Sequence, residues 1–258
     1  WPLTQEKLQA AKEIVKVEAQ SGHLEPSTSP WNTPIFVIQK KNKNTWRLLH
    51  DLRAVNAQME AMGPLQTGLP LASAIPQNWH IIIIDIRNCF FSIPLASEDR
   101  KRFAFTLPAI NLEEPVTHWQ WTVLPQGMKN SPTMCQRYVA KALGGIREKW
   151  GKTKVLHYMD DILMAAEDRA VLDSLFQQVQ AKLYQYGLNV AEEKIQRGST
   201  LKYLGTEIRG EQITAQPILI NPKVRTLNNV QKLVGAIQWL RIFVPIPNNL
   251  MEPFYDLL

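Results

Sequence analysis

The sequence predicts an α+β fold, and three observations lead to that expectation. Segments with helical spacing and segments with strand patterning alternate along the 258 residues, without the regular rhythm of a doubly wound sheet. Several short apolar runs come in pairs separated by a few polar residues, which is typical of hairpins. A hydrophobic content of 45% permits a substantial core.

The tetrapeptide 158–161, Tyr-Met-Asp-Asp, is the feature around which we interpret the chain. It lies between the apolar runs 155–157 and 162–164, so we predict a hairpin with Met159 and Asp160 at its turn. Such turns usually contain glycine, because their central residues need positive φ. We interpret this turn as strained for a purpose, and a divalent cation as the partner that offsets the carboxylate repulsion. An ordinary acidic surface turn is the alternative.

In chain order, the first elements are a helix and a hairpin. Thr4 is predicted to cap a packing helix that Gly22 closes, and a loop follows over 25–34. The runs 35–38 and 46–49 predict a hairpin with a basic tip. One acid, Asp51, accompanies the basic residues Lys40, Lys41, Lys43, Arg47 and Arg53. This charge indicates either a solvated face or a phosphate-binding surface.

The run 80–85 predicts a strand buried on both faces, because its four central isoleucines are continuous. An irregular crossing over 60–80 precedes it. Asp85 ends the strand, on rigid scaffold where a site can be placed accurately. A simple strand-terminating aspartate is the alternative.

The middle of the chain predicts paired strands and two helices. The segments 103–106 and 119–123 alternate at period two around an acidic loop at 111–114. Ser131 is predicted as the N-cap of a helix that begins with proline and that Gly144 and Gly145 end or break. Residues 172–183 predict a further amphipathic helix, closed by Gly187.

The C-terminal part predicts a second hairpin over 203–214 and a helix from Thr226 to Leu240. One face of this helix carries Gln231, Gly235 and Trp239. A glycine inside a helix costs about 1 kcal/mol relative to alanine, so Gly235 suggests that another group approaches that face closely. Pro245 and Pro247 break the helix, and another is expected over 251–258.

Composition narrows the function class. The net charge of +6 and the pI near 9.3 favour a polyanionic partner. Cys89 and Cys135 provide neither a disulfide framework nor a zinc-binding cluster. The start shows no signal-peptide pattern and the apolar run 81–84 is too short to cross a bilayer, so we expect neither secretion nor membrane insertion. Because the chain begins with Trp1, we expect it to be a piece of a longer polypeptide.

The order of these motifs resembles retroviral reverse transcriptase, and the resemblance extends over the whole chain. The residues that carry it are Asp85, Phe90, Leu-Pro-Gln-Gly at 124–127, the 158–161 turn, Leu204-Gly205 and the helical segment 230–235. The segments 31–38 and 52–56 look most like the alpha- and betaretroviral and related endogenous-retrovirus branch.

The resemblance implies a right-hand polymerase fold. Fingers would comprise residues 1–60 and 93–130, and the palm residues 61–92 and 131–212. The thumb would comprise 213–258 and be incomplete in this chain, which lacks the family's connection and RNase H regions.

The implied reaction is DNA synthesis on an RNA or DNA template with a primer, in which dNTPs are added by two-metal phosphoryl transfer. The implied ligands of the two Mg²⁺ ions, for which Mn²⁺ can substitute, are Asp85, Asp160 and Asp161 with the Ile86 carbonyl. Asp85 and Asp160 would be the main bridging ligands and Asp161 the less direct one.

A second group of residues is carried over to the incoming nucleotide: Lys40, Arg47, Asn88, Cys89, Phe90, Gln126 and Met159. Phe90 would exclude a ribose 2′-hydroxyl, and core packing is its alternative role. The sequence departs from the family at Arg87-Asn88, where Lys-Asp is common. Backbone N–H donors from Asn88 and Cys89 survive that change, but the role of the aspartate side chain does not carry over.

A third group would contact template or primer: Asp51, Arg53, Tyr158, Tyr203, Leu204, Gly205, Gln231, Gly235 and Trp239. The resemblance also allows a homodimer or heterodimer and implies a location in the virion or host cytoplasm, with no membrane contact. Two alternatives to an active polymerase are a catalytically inactive nucleic-acid-binding or structural subunit and a metal-dependent nuclease. Intact Asp85, Asp160 and Asp161 favour the polymerase over the inactive subunit, and the basic hairpin disfavours the nuclease.

Overall fold

The computed structural model describes residues 3–40, 45–64, 68–109, 115–210, 212–218 and 224–258. Within these residues the helices are α1 (Gln5–Gln20), α2 (Arg53–Gln58), α3 (Ser97–Arg100), α4 (Ser131–Lys149), α5 (Arg169–Gln185), α6 (Leu227–Leu240) and α7 (Asn248–Tyr255). The strands are β1 (Leu24–Pro26), β2 (Ile35–Gln39), β3 (Trp46–His50), β4 (His80–Asp85), β5 (Ala104–Leu107), β6 (Thr117–Trp121), β7 (Lys154–Tyr158), β8 (Asp161–Ala166), β9 (Gln196–Arg197), β10 (Thr200–Tyr203), β11 (Thr206–Arg209) and β12 (Gln212–Ala215). The paired strands are antiparallel, so the mixed α+β prediction is confirmed.

The central sheet has the strand order β7-β8-β4-β9. Alternate residues of β4 point to opposite faces: Ile82 and Ile84 pack into the main core, and Ile83 packs into a second core with Leu201 and Tyr203. The prediction of a strand buried on both faces is therefore confirmed. Burial on both sides fixes the register of this strand, and with it the position of the residue that ends it.

Helices α4 and α5 cover one face of the central sheet. Their buried residues, which include Val139, Leu143, Leu175 and Val179, belong to the same core cluster as Ile84. Burying side chains of this size stabilises the fold by about 1.5–3 kcal/mol each. The main core therefore fixes the position of the sheet edge where Asp85 lies.

Three smaller sheets surround this centre: β1-β6-β5, β2-β3 and β10-β11-β12. The pairing of β2 with β3 and of β5 with β6 confirms two predicted hairpins. Their predicted tips, with Lys41 and Lys43 in one and the acidic residues 111–114 in the other, lie outside the described residues. The predicted C-terminal hairpin is part of a three-stranded sheet, because β10 adds to it.

Two predictions for α4 were wrong. Ser131 is the first helical residue, so Asn130 is the N-cap residue instead. The Ser131 hydroxyl donates to the Pro125 carbonyl at 3.0 Å. The helix also continues through Gly144 and Gly145. The buried neighbours Leu143 and Ile146 offset the helix-propensity cost, which is about 1 kcal/mol per glycine.

The ends of the other helices agree more closely with the ends predicted from the sequence. The Thr4 hydroxyl accepts from a backbone N–H group and caps α1, as predicted. The Thr226 hydroxyl does the same for α6, at the residue where that helix was predicted to start. The last helix, α7, begins at Asn248, three residues before the predicted start at Met251. In the part of the chain that the structure describes, the helices are all too short or too polar to cross a membrane.

Candidate active site

The turn between β7 and β8 consists of Met159 and Asp160, as predicted, and pairs Tyr158 with Asp161 across its base. Met159 has φ of 55°, a conformation that side-chain-bearing residues rarely adopt. Holding a residue there costs about 1–3 kcal/mol, so contacts elsewhere must stabilise the turn.

A glutamine from α4 supplies one such contact. The buried Gln136 side chain accepts a hydrogen bond from the Met159 backbone N–H through Oε1 at 2.5 Å. Its backbone carbonyl lies 3.3 Å from Nε2 of His157, which is also buried. Sequence reasoning missed Gln136, although a polar residue beside the apolar positions of a buried helix face was a usable signal.

The register of the central sheet brings Asp85 to the same turn. Asp85 pairs with Asp161 across β4 and β8, and the backbone N–H of Ile86 donates to the Asp160 carbonyl at 2.9 Å. Asp85 and the adjacent pair Asp160 and Asp161, which are far apart in sequence, therefore share one edge of the sheet.

The electrostatics of this edge favour a cation. Burial, together with the charges of Asp160 and Asp85, raises the pKa of Asp161 to about 6, and the charge of Lys194 opposes this shift. Burial and the Asp85 charge raise the pKa of Asp160 in the same way. The carboxylates thus repel one another in a half-buried environment, which an oxygen-seeking divalent ion would relieve.

The carboxylate oxygens are therefore suitable ligands for Mg²⁺ or Mn²⁺. They do not form a complete coordination sphere. Within the described ranges, no three or more His, Cys, Asp or Glu side chains converge closely enough to hold a metal ion.

Lys194 is a further member of the site that sequence reasoning missed. Its Nζ lies 2.8 Å from Oδ1 of Asp85 in an ion pair. The lysine belongs to a short 3-10 turn, 192–194, whose local sequence carries no signal for a site. Only the folded chain brings it to the carboxylates.

Several residues expected at the incoming nucleotide surround one cavity of about 390 Å³. Those that line it are Lys40, Arg47, Asn88 and Gln126. Asn88 has φ of 49°, a left-handed conformation that asparagine and aspartate both tolerate, so the departure from the family's Lys-Asp leaves this backbone geometry accessible. Phe91 lines the cavity, whereas Phe90 is half-buried and packs against the main core.

Cys89 lies beneath this region and is buried. A hydrogen bond with the Cys135 thiol raises the pKa of Cys89, and burial and the nearby Asp160 and Asp85 charges raise it further. The thiol is therefore held neutral, and only the backbone of Cys89 could donate to a ligand.

Asp51 and Arg53 line another cavity, of about 640 Å³, together with Phe36 and Asn56. Two hydrogen bonds from the Arg53 guanidinium, at 2.6 and 2.9 Å, reach the Asp51 carboxylate and lower its pKa to about 2. The two side chains thus form a bidentate pair on an open face of the β2-β3 region.

The residues expected at the primer end meet the last long helix. Leu204 and Gly205 form the turn between β10 and β11, both with positive φ. A Cβ at Gly205 would lie 2.9 Å from the Trp239 ring, so only glycine fits between this turn and α6. Tyr203 is buried in the second core, and its hydroxyl has no hydrogen-bond partner among the described residues.

The remaining residues of that group face outward. Gln231 and Gly235 are exposed on α6, and a Cβ at Gly235 would meet no described atom within 4 Å. The close approach expected at Gly235 is therefore not made by the described part of this chain. Tyr158 is half-buried at the end of β7.

Comparison with known proteins shows the family to which the chain is related. Residues 38–208 match the family model described as reverse transcriptase (RNA-dependent DNA polymerase). The whole chain is 51% identical to part of the Gag-Pro-Pol polyprotein of mouse mammary tumor virus (strain BR6) and 51% identical to part of that of Mason-Pfizer monkey virus. Over 99% of its length it is 50% identical to the intracisternal A-particle Pol-related polyprotein of the mouse particle MIA14.

The chain spans 15% of each of the two Gag-Pro-Pol polyproteins and 29% of the Pol-related polyprotein. The family match covers well over half of the chain and includes Asp85, Asp160 and Asp161. This chain belongs to the reverse transcriptase (RNA-dependent DNA polymerase) family.

Proposed function

We propose that this chain is the polymerase portion of a retroviral or endogenous-retroviral reverse transcriptase. It would add dNTPs to a primer 3′-hydroxyl on an RNA or DNA template. The observation that carries this proposal is the meeting of Asp85, Asp160 and Asp161 at one sheet edge. The proposed division remains fingers at 1–60 and 93–130, palm at 61–92 and 131–212, and thumb at 213–258.

Asp85 and Asp160 would be the main ligands of two divalent ions, with Asp161 and the Ile86 carbonyl in supporting positions. When bound, such ions lower the pKa of an attacking hydroxyl and neutralise charge on the transferred and leaving phosphates. The chain's own contribution is to hold two carboxylates on buried strands and the third in the turn between them, where their positions would change little during a reaction.

Two basic side chains at the 390 Å³ cavity, which Glu13 and Glu18 also line, would bind the triphosphate. Lys40 and Arg47 line it from the ends of β2 and β3 and are exposed, so both can reach a ligand. Arginine offers a planar fork that matches phosphate oxygens, and lysine offers a point charge. Backbone donors at Asn88 and Cys89 would add hydrogen bonds, while Gln126 and Met159 would border the nucleotide.

Template and primer would lie along the surface that carries Asp51, Arg53, the Leu204–Gly205 turn and α6. Contacts to phosphates and sugars suit an enzyme that must accept any sequence. Affinity for template–primer should therefore fall steeply as salt increases.

Primer extension on poly(rA)/oligo(dT) tests this function. With Mg²⁺ or Mn²⁺ we expect extension by the wild-type chain and a loss of about a thousandfold in Asp85→Asn and Asp160→Asn, because metal-held charge is worth several kcal/mol. Asp173→Asn is the matched control, since Asp173 lies on α5 in an ion pair with Arg197. Its rate should stay near wild type.

Binding of labelled template–primer separates the candidate functions. Both aspartate variants should still bind it, since the phosphate contacts lie elsewhere. Near-normal extension by either variant would overturn the assignment. Binding without extension by the wild-type chain would favour an inactive nucleic-acid-binding subunit.

A further inference from the structure

The ion pair between Lys194 and Asp85 has an asymmetry that bears on metal binding. Nζ of Lys194 lies 2.8 Å from Oδ1 of Asp85. The Lys194 side chain is 57% exposed, whereas that of Asp85 is 22% exposed. The lysine can therefore swing into solvent, while the aspartate is confined to the sheet edge.

The backbone beneath Lys194 is tied to the end of β4. The Ala191 N–H donates to the Asp85 carbonyl at 2.9 Å, and the Arg87 N–H donates to the Asn189 carbonyl at 2.8 Å. Arg87 also forms an ion pair with Glu193 at 2.6 Å. These contacts hold the lysine backbone beside Asp85, so release of the ammonium group requires only side-chain rotation.

Rotation of the Lys194 side chain into solvent changes the net charge around the three carboxylates. Asp85, Asp160 and Asp161 together carry three negative charges at one edge, and Lys194 supplies one positive charge there. Its ammonium group is paired with the Asp85 oxygen that a metal ion would need as a ligand. A divalent ion at Asp85 would both replace that contact and repel the ammonium group.

We propose that Lys194 is a built-in counter-cation, which neutralises Asp85 in the metal-free protein and is displaced when a divalent ion binds. This inference rests on the proposed function, because it takes Asp85 as a metal ligand. Lys194 is thus a positioning residue that stabilises the metal-free site and weakens its affinity for metal. The arrangement reduces the repulsion among the adjacent carboxylates before the metal arrives.

Titration with Mn²⁺ tests the proposal without catalysis. The free ion is followed by electron paramagnetic resonance, using the whole chain in the absence of nucleic acid and dNTP. We expect Lys194→Met to bind Mn²⁺ about three- to tenfold more tightly than wild type, since it removes both a competing partly exposed ion pair and a positive charge. Lys194→Arg, which keeps the charge, should remain close to wild type.

Lys154→Met is the matched control for loss of one positive charge. Lys154 is exposed at the far end of β7 from the turn, so its effect on Mn²⁺ affinity should be small after screening by salt. Asp85→Asn should weaken Mn²⁺ binding, which establishes that the titration reports on this site.

Thermal unfolding provides a second readout. In EDTA we expect Lys194→Met to melt about 1–4 °C below wild type, because the carboxylates lose their counter-ion. Saturating Mn²⁺ should remove that difference.

The outcomes distinguish this inference from the proposed function. If Mn²⁺ binding depends on Asp85 but Lys194→Met binds no more tightly than wild type, the counter-cation role is wrong and the metal assignment stands. If Mn²⁺ binding does not depend on Asp85, both fail.

Discussion

Replacing Gln136 with leucine perturbs the turn that carries Asp160 and leaves all three carboxylates of the site unchanged. Gln136 is 5% exposed, and its side-chain oxygen accepts the Met159 N–H at 2.5 Å. Leucine is similar in size but has no acceptor. The half-buried N–H of a residue held at positive φ would then lose this hydrogen bond.

The expected loss of stability follows from that one hydrogen bond. Leaving a buried donor without its acceptor costs about 1–3 kcal/mol. For a chain of this size, each kcal/mol lowers Tm by about 2–4 °C. Relaxation of the turn should also displace Asp160, and a shift of about 1 Å in a catalytic group can reduce kcat up to about a hundredfold.

Urea unfolding and primer extension measure the two effects separately. We expect Gln136→Leu to lower the free energy of unfolding and kcat, with template–primer affinity near wild type. Gln177→Leu is the control, because Gln177 is exposed on α5 and should change stability by less than about 0.5 kcal/mol. If Gln136→Leu matches that control in both assays, α4 does not hold the turn.

Two further predictions concern a buried histidine and the nucleotide cavity. Burial lowers the pKa of His50 to about 4, so the unfolded chain binds the proton more readily and stability falls as pH drops below about 6.5. Urea unfolding should show wild type losing about 2 kcal/mol more between pH 7 and pH 5 than His50→Gln does, and equal losses would contradict this reasoning. Phe90→Val should raise ribonucleotide incorporation relative to deoxyribonucleotide by about tenfold, or about 1.4 kcal/mol of relieved clash, in single-nucleotide extension assays. An unchanged ratio would leave Phe90 as a core residue only.

Local patterns were sufficient for most of the elements. The run 80–85 predicted its strand because four β-branched residues in succession suit burial on both faces, and the structure packs them against two cores. The cap at Thr4 was also predictable locally, because its hydroxyl can accept from a backbone N–H of the first helical turn. Where tertiary contacts outweighed local preference, as at Ser131 and at Gly144–Gly145, the sequence prediction was wrong.

The site could be predicted only in part. Asp85 and the turn were found from strand ends and from the resemblance. Gln136 was missed although its place on a buried helix face was a usable signal, whereas Lys194 contributes through a contact that no local pattern encodes. Lys194 meets Asp85 across 109 positions. The contact of Gly205 with Trp239 joins a turn to a helix in the same way. Such pairings depend on how elements pack, which periodicity does not report.

The absence of glycine at position 159 now has a physical explanation. A positive φ at Met159 costs about 1–3 kcal/mol, which glycine would avoid. The Gln136 hydrogen bond stabilises the turn by about 1 kcal/mol, and the buried strands on either side fix its register. The turn is therefore held by α4 and by the sheet instead of by its own residues. Because of this external support, position 159 can carry a side chain beside the carboxylates. Glycine would provide no side chain there.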